Sequence, residues 1–216
     1  MRSFRPYVPL LALLAVAVAF LPATAQAQEP AASAESSEMV ASSGFVDDYL
    51  AEFDRVRQQI ESLAAAIPQK TYTWRPSDEV RSVSEVYLHM AFANYMLPGI
   101  AGYPPPADLK DQLGVDKLHA WDTATTDKGV VAERLSRSLD HLRSTVAGIS
   151  AEELEGNVEA FGQTLTRRQV LMLALGHLHE HLGQSIAYAR MNGVVPPWTA
   201  AQQEAQRKAA EESGGD

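Results

Sequence analysis

The side chains best suited to chemistry in this chain are histidines, and their spacing sorts them. In the run His177-Leu178-His179-Glu180-His181, a helix with about 100° per residue places His177 and His181 about 40° apart on one face. Side chains at that spacing lie roughly 6 Å apart, so a single metal ion can take both imidazoles, as in His-x-x-x-His zinc motifs. Gln184, Val170 and Tyr188 fall near the same stripe, which reads as core-facing. His179 lies about 200° from His177 and points away. His89 keeps step with Val86, Phe92 and Met96 and also faces inward, from a different helix. A core histidine satisfied by one hydrogen bond is the ordinary reading of any one of these. A pair four apart with a third from another helix favours a metal centre built from His89, His177 and His181. His119 and His141 have no such spacing and read as solvated.

Three imidazoles leave an open position on a tetrahedral ion, as catalytic zinc sites do, and zinc can lower the pKa of bound water to about 7. Hydrolysis and thiol activation are both open to such a centre. The ligand type suits zinc or nickel first, with iron, manganese or copper also compatible. A general base is harder to name. Glu85 reads as a helix cap, and Glu180 adjoins His181 in sequence yet points round the helix from it. Tyr95 and Tyr188 are candidates to orient a substrate, although tyrosines at helical spacing also serve a core.

Four amphipathic helices must position these groups. The first, Phe45 to Ile67, repeats apolar residues in steps of three and four, carries Asp47 and Asp48 in its first turn, and stops at Pro68. The second opens at Ser82, with Glu85 completing a capping-box pattern, and runs toward Pro98. The third starts near Asp127 and carries Val131, Leu135, Leu139, Leu142, Val146 and Ile149 on one stripe. The fourth opens with Thr166 and Gln169 and continues to Asn192 and Gly193, ahead of Pro196 and Pro197. No long stretch alternates with period two; Asn157 to Leu165 is at most locally extended. The expected fold is all-α, a four-helix bundle with a long connection between helices two and three. That connection, Gly99 to Thr126, holds Tyr103 and three consecutive prolines, Pro104 to Pro106. It reads either as a functional loop or as an overhand crossing over the bundle. A shallow pocket is expected between helices two and four, bordered by this connection.

Composition narrows the classes. With 18 basic against 27 acidic side chains, a formal charge of −9 and no cysteine, the chain has no disulfide, thiolate nucleophile or Cys-ligated metal. Its acidity argues against nonspecific nucleic-acid binding. At the N-terminus, Arg2 and Arg5 precede an apolar run from Leu10 to Leu21, then Pro22 and small residues, the pattern of a cleaved secretory signal. The run would span only about 18 Å of the roughly 30 Å hydrocarbon core, so no stable membrane span is expected after cleavage. The expected organisation is a signal over residues 1–27, a flexible leader over 28–43, the bundle over 44–198, and a polar tail over 199–216, disordered or a frayed helix. An exported protein, periplasmic or secreted, follows, acting on an unknown small molecule; a homodimer is compatible with the sequence.

The residues also carry a resemblance. Tyr72-Thr73-Trp74-Arg75-Pro76-Ser77, then Ser82-Val83-Ser84-Glu85 and His89, precede the stretch His177-Leu178-His179-Glu180-His181-Leu182-Gly183-Gln184, Tyr188-Ala189-Arg190, Gly193 and Pro196-Pro197. In this order they resemble the DinB/YfiT-like superfamily of bacterial four-helix-bundle metalloproteins, over roughly Phe45 to Trp198. The resemblance implies an unusual crossing between helices two and three and a divalent ion on His89, His177 and His181. Leu182 departs from the family, where many members place Arg. Export is a second departure, because members of known chemistry act on cytosolic low-molecular-weight thiols. The expected function is a metal-dependent hydrolase or transferase, with a non-enzymatic exported metal buffer or scavenger as the alternative.

Overall fold

The structure is a computed structural model that describes the backbone of residues 32–213 and the side chains of residues 44–213. The segment read as a secretory signal, residues 1–27, lies outside the described residues. Helix α1 (Ala32–Ala66) buries Tyr49, Phe53, Val56, Ile60 and Leu63, the stripe its spacing predicts. It begins at Ala32, inside the segment read as a flexible leader. The Ala, Glu and Met residues there are good helix formers even without an apolar face to bury. Helix α2 (Val83–Ile100) is closed at its start by a reciprocal capping box: Ser82 Oγ accepts from the Glu85 amide, and the Glu85 carboxylate accepts from the Ser82 amide at 2.9 Å. Pro98 falls within its last turn instead of ending it.

Two short elements follow, a 3-10 turn (Val115–Lys117) and helix α3 (Leu118–Asp122). Helix α4 (Lys128–Ala147) is capped by the Asp127 carboxylate, which accepts from the Val130 amide at 3.0 Å, and buries Val131, Leu135, Leu139, Leu142 and Val146. After helix α5 (Ala151–Glu155), strands β1 (Asn157–Ala160) and β2 (Gln163–Thr166) pair antiparallel. This hairpin is the locally extended stretch anticipated from sequence. Its two-residue turn places Phe161 (φ 54°) and Gly162 (φ 76°) in the left-handed region, as a tight hairpin turn matching strand twist requires. Strand β2 leads directly into helix α6 (Arg167–Met191), where Thr166 and Gln169 form another capping box. Helix α7 (Pro197–Ser213) has no buried residue. The polar tail is thus helical through Ser213, with Arg207 paired to Glu204 at 2.7 Å.

Helix α1 packs on α4 and α6, and α2 packs on the same two, so α1 and α2 face each other across the bundle diagonal. Side-chain pairs give the directions. Asn94 with Ser138 and Tyr95 with His141 rise together, so α2 and α4 run parallel. Asp54 with Arg143 and Arg57 with Asp140 run oppositely, so α1 and α4 are antiparallel. Arg81 with Tyr188 and Ala101 with Arg167 make α2 and α6 antiparallel. The order is up, down, down, up. Two parallel neighbours in sequence cannot be joined by a tight turn: the chain must travel back along α2, 18 residues or about 27 Å long. The connection 101–127 is therefore the overhand crossing. No helix among the described residues is long and apolar enough to cross a membrane.

Candidate metal centre

The antiparallel pair α2 and α6 brings His89, His177 and His181 together. His177 Nε2 lies 3.2 Å from His89 Nε2 and 3.1 Å from His181 Nε2, and one ring nitrogen from each falls within 4.8 Å of the others. The His89 and His181 rings meet nearly perpendicular, at 81°, with centroids 5.0 Å apart. An ion with metal–nitrogen bonds of about 2.0–2.1 Å in tetrahedral geometry needs nitrogens roughly 3.4 Å apart. The observed separations are close to that edge.

Hydrogen bonds behind the site fix where one of the protons sits. The Arg81 backbone carbonyl can only accept, so the Tyr188 hydroxyl donates to it at 3.1 Å. The Tyr188 oxygen then accepts from Gln184 Nε2 at 2.9 Å, which turns Gln184 Oε1 toward His181 Nδ1 at 2.8 Å. His181 Nδ1 must donate, and its Nε2 presents a lone pair to the centre. Trp74 braces this relay, its ring edge-on to Tyr188 at 5.2 Å. His177 Nδ1 is buried with no hydrogen-bond partner among the described residues.

A neutral ring can turn either Nε2–H or an Nε2 lone pair toward its neighbour, so these contacts are hydrogen bonds in one tautomer and, in the Nδ1–H tautomer, convergent lone pairs that a metal cation can take. Protonation is disfavoured: burial, with neighbouring His181 and His89 adding to it, pushes His177 down to about 3. Burial also lowers His181, against the opposing effect of the hydrogen bond it donates to Gln184. Neutral, convergent imidazoles are the state in which histidine ligates metals, so the donor set is one that can hold a divalent ion.

A cleft of about 620 Å³ opens where the overhand connection meets α2 and α6; its lining holds Arg81, Asp122 and Gln184, of which Asp122 lies 3.5 Å from His89 and Gln184 is hydrogen-bonded to His181. Like the pocket expected from sequence it is bordered by the connection, but only Glu85 of α2 and Gln184 of α6 contribute to its lining. Glu85 lines it but is committed twice, to the Ser82 amide and to Arg75 at 2.6 Å, so it serves as cap and ion-pair partner. Glu180 is exposed. Tyr95 belongs to the core on the α4 side, against His141 at 5.2 Å. His179 turns to α1, its Nε2 2.9 Å from Glu52 Oε1. His119 is exposed at the cleft rim. His141, read from sequence as solvated, is instead half-buried against Tyr95. Its Nε2 is buried without a partner among the described residues, and desolvation lowers its pKa. Sequence reasoning also missed Asp122 and Arg81. Asp122 sits in a connection with no periodicity to betray an inward side chain; a lone tryptophan beside it, Trp121, is the only cue.

A helical bundle with three inward histidines on two antiparallel helices is the class of protein that fold and site define. The family model described as the DinB superfamily matches residues 52–185, a span that includes all three histidines, and the chain belongs to that superfamily. No curated protein matches it significantly. Among solved structures, a DinB-like protein from Bacillus subtilis is similar at 21% identity and a TM-score of 0.52, covering 68% of this chain and 92% of that one. A DinB-like protein from Bacillus cereus aligns at 15% identity and a TM-score of 0.56, covering 72% and 95%. A conserved protein from Enterococcus faecalis aligns at 18% identity and a TM-score of 0.57, covering 67% and 94%. At these identities the likeness speaks to the fold.

Proposed function

We propose that this chain binds a divalent metal ion, zinc or nickel before iron, manganese or copper, through Nε2 of His89, His177 and His181. We further propose that it uses the ion in hydrolysis or thiol transfer on a small molecule entering by the cleft. The observation that carries the reading is the convergent triangle of ring nitrogens, with the Gln184–Tyr188–Arg81 relay holding the His181 lone pair inward. An ion held by three imidazoles keeps a position for an exchangeable ligand and supplies Lewis acidity there. Around it, the relay holds a ligand ring in place, while Arg75, Arg81 and the exposed Val115 shape the approach. The signal-like pattern of segment 1–27 supports an exported protein, periplasmic or secreted. One observation favours a non-enzymatic metal buffer instead: Glu85, on the same helix as His89, is already engaged by Arg75 and the Ser82 amide, so no free base faces the centre from α2.

Zinc titration of five variants tests the site. His89→Ala, His177→Ala and His181→Ala are expected to lose tight binding, and His179→Ala and His141→Ala to keep it. Full binding by His89→Ala would leave only the α6 pair. Hydrolysis or thiol-transfer activity that His181→Ala lacks separates the enzyme from the buffer.

A further inference from the structure

The overhand connection does more than return the chain. At its far end Trp121 is buried edge-on to Phe92 and Tyr95, and its indole Nε1 donates to the Leu88 carbonyl at 2.9 Å. That bond pins α3 one residue from His89. The next residue, Asp122, is thereby carried into the bundle and left 5% exposed, where a carboxylate persists only when paired. Its Oδ2 accepts from Arg81 Nε at 2.8 Å and lies 3.5 Å from His89 Nδ1. Two buried polar atoms here have no hydrogen-bond partner among the described residues: Asp122 Oδ1 and His89 Nδ1. The unmet ring nitrogen thus lies 3.5 Å from the carboxylate oxygen that Arg81 engages, and the second oxygen of the same carboxylate is itself unmet.

We propose that Asp122 is the positioning residue of His89, accepting a hydrogen bond from Nδ1–H when Nε2 holds the ion, and so fixing the ring's tautomer and strengthening it as a donor. The proposal rests on the three-histidine reading. It gives the two members of one ion pair opposite effects. The Asp122 carboxylate favours a cation on the imidazoles, whereas the Arg81 guanidinium draws on that carboxylate and adds positive charge of its own. A bridge that merely held the fold together would make the two residues equivalent.

Zinc affinity, measured by competition with a chromophoric chelator, decides between these for the wild type, His89→Ala, Asp122→Asn and Arg81→Met, each checked for helicity. Asp122→Asn, near-isosteric but uncharged, is expected to bind about 10- to 100-fold more weakly, and Arg81→Met as tightly as wild type or tighter. In the zinc-loaded wild type, NMR of isotope-labelled histidine is expected to show an exchange-protected Nδ1 proton at His89; this arm needs no variant to fold. Wild-type affinity in Asp122→Asn, equal weakening by Arg81→Met, or absence of that proton would each overturn the role of Asp122. If wild type and His89→Ala take up zinc alike, the three-histidine reading itself fails, a result the other arms cannot mimic.

Discussion

Burial of His177 makes the metal-free protein sensitive to acid. In the unfolded chain an imidazole titrates near 6.5, whereas burial holds His177 down to about 3 and lowers His181 and His141 as well. Between those values the unfolded chain binds more protons than the folded one. The stabilisation is therefore complete above about pH 6.5 and is lost as pH falls toward about 3, at about 1.4 kcal/mol per pH unit for each proton taken up only on unfolding. The thermal midpoint in chelator is expected to fall on acidification from pH 6.5, before carboxylates such as Asp54 titrate, and His177→Leu should flatten the slope. A wild-type midpoint unchanged down to pH 5 would count against buried, neutral histidines. At this scale the sequence was legible where a helix imposed its period: angular spacing put His89, His177 and His181 inward and His179 outward. It failed for His141, whose half-burial depends on where Tyr95 of a neighbouring helix stands. It failed also for Asp122, whose inward course comes from the anchoring of Trp121.

Helix boundaries were readable because caps are local chemistry: Ser82 with Glu85 and Thr166 with Gln169 start α2 and α6 where their side chains meet the free amides. The route between elements was not. Nothing in the apolar stripe of α1 or α2 says that these helices sit on a diagonal, because that depends on which faces of α4 and α6 each finds. The short helix α3 is where the route matters to the site, since a single indole bond to Leu88 aligns it on α2. Trp121→Phe keeps the aromatic packing but deletes the donor, and is expected to cost about 1 kcal/mol in stability. It should also weaken zinc binding, though less than removing the Asp122 charge. Thermal melts and zinc titration of the variant would show it, and unchanged zinc affinity would mean that α3 is held by packing alone.

Over the whole molecule, an ion that binds only the folded bundle adds its binding energy to the fold. At a free concentration about 100 times Kd that is about 2.7 kcal/mol, or a rise in thermal midpoint of about 5–10 °C for a chain of this size. Differential scanning calorimetry in excess zinc and in chelator checks this, and superimposable curves on protein shown to start metal-free would speak against a site of any strength. The topology adds a matter of timing. His89 and His177 are 88 positions apart, and all of α4 is synthesised between them. The α6 pair can offer an ion only two nitrogens, and the third arrives when α2 has docked antiparallel beside it. Closing so long a loop carries an entropy cost that two imidazoles do little to offset. An ion held by all three imidazoles would therefore come too late to template the fold. Tight occupancy would instead certify a finished molecule, because a chain stalled before α6 has only His89 to present, and one that has passed its overhand crossing on the wrong side has only the α6 pair.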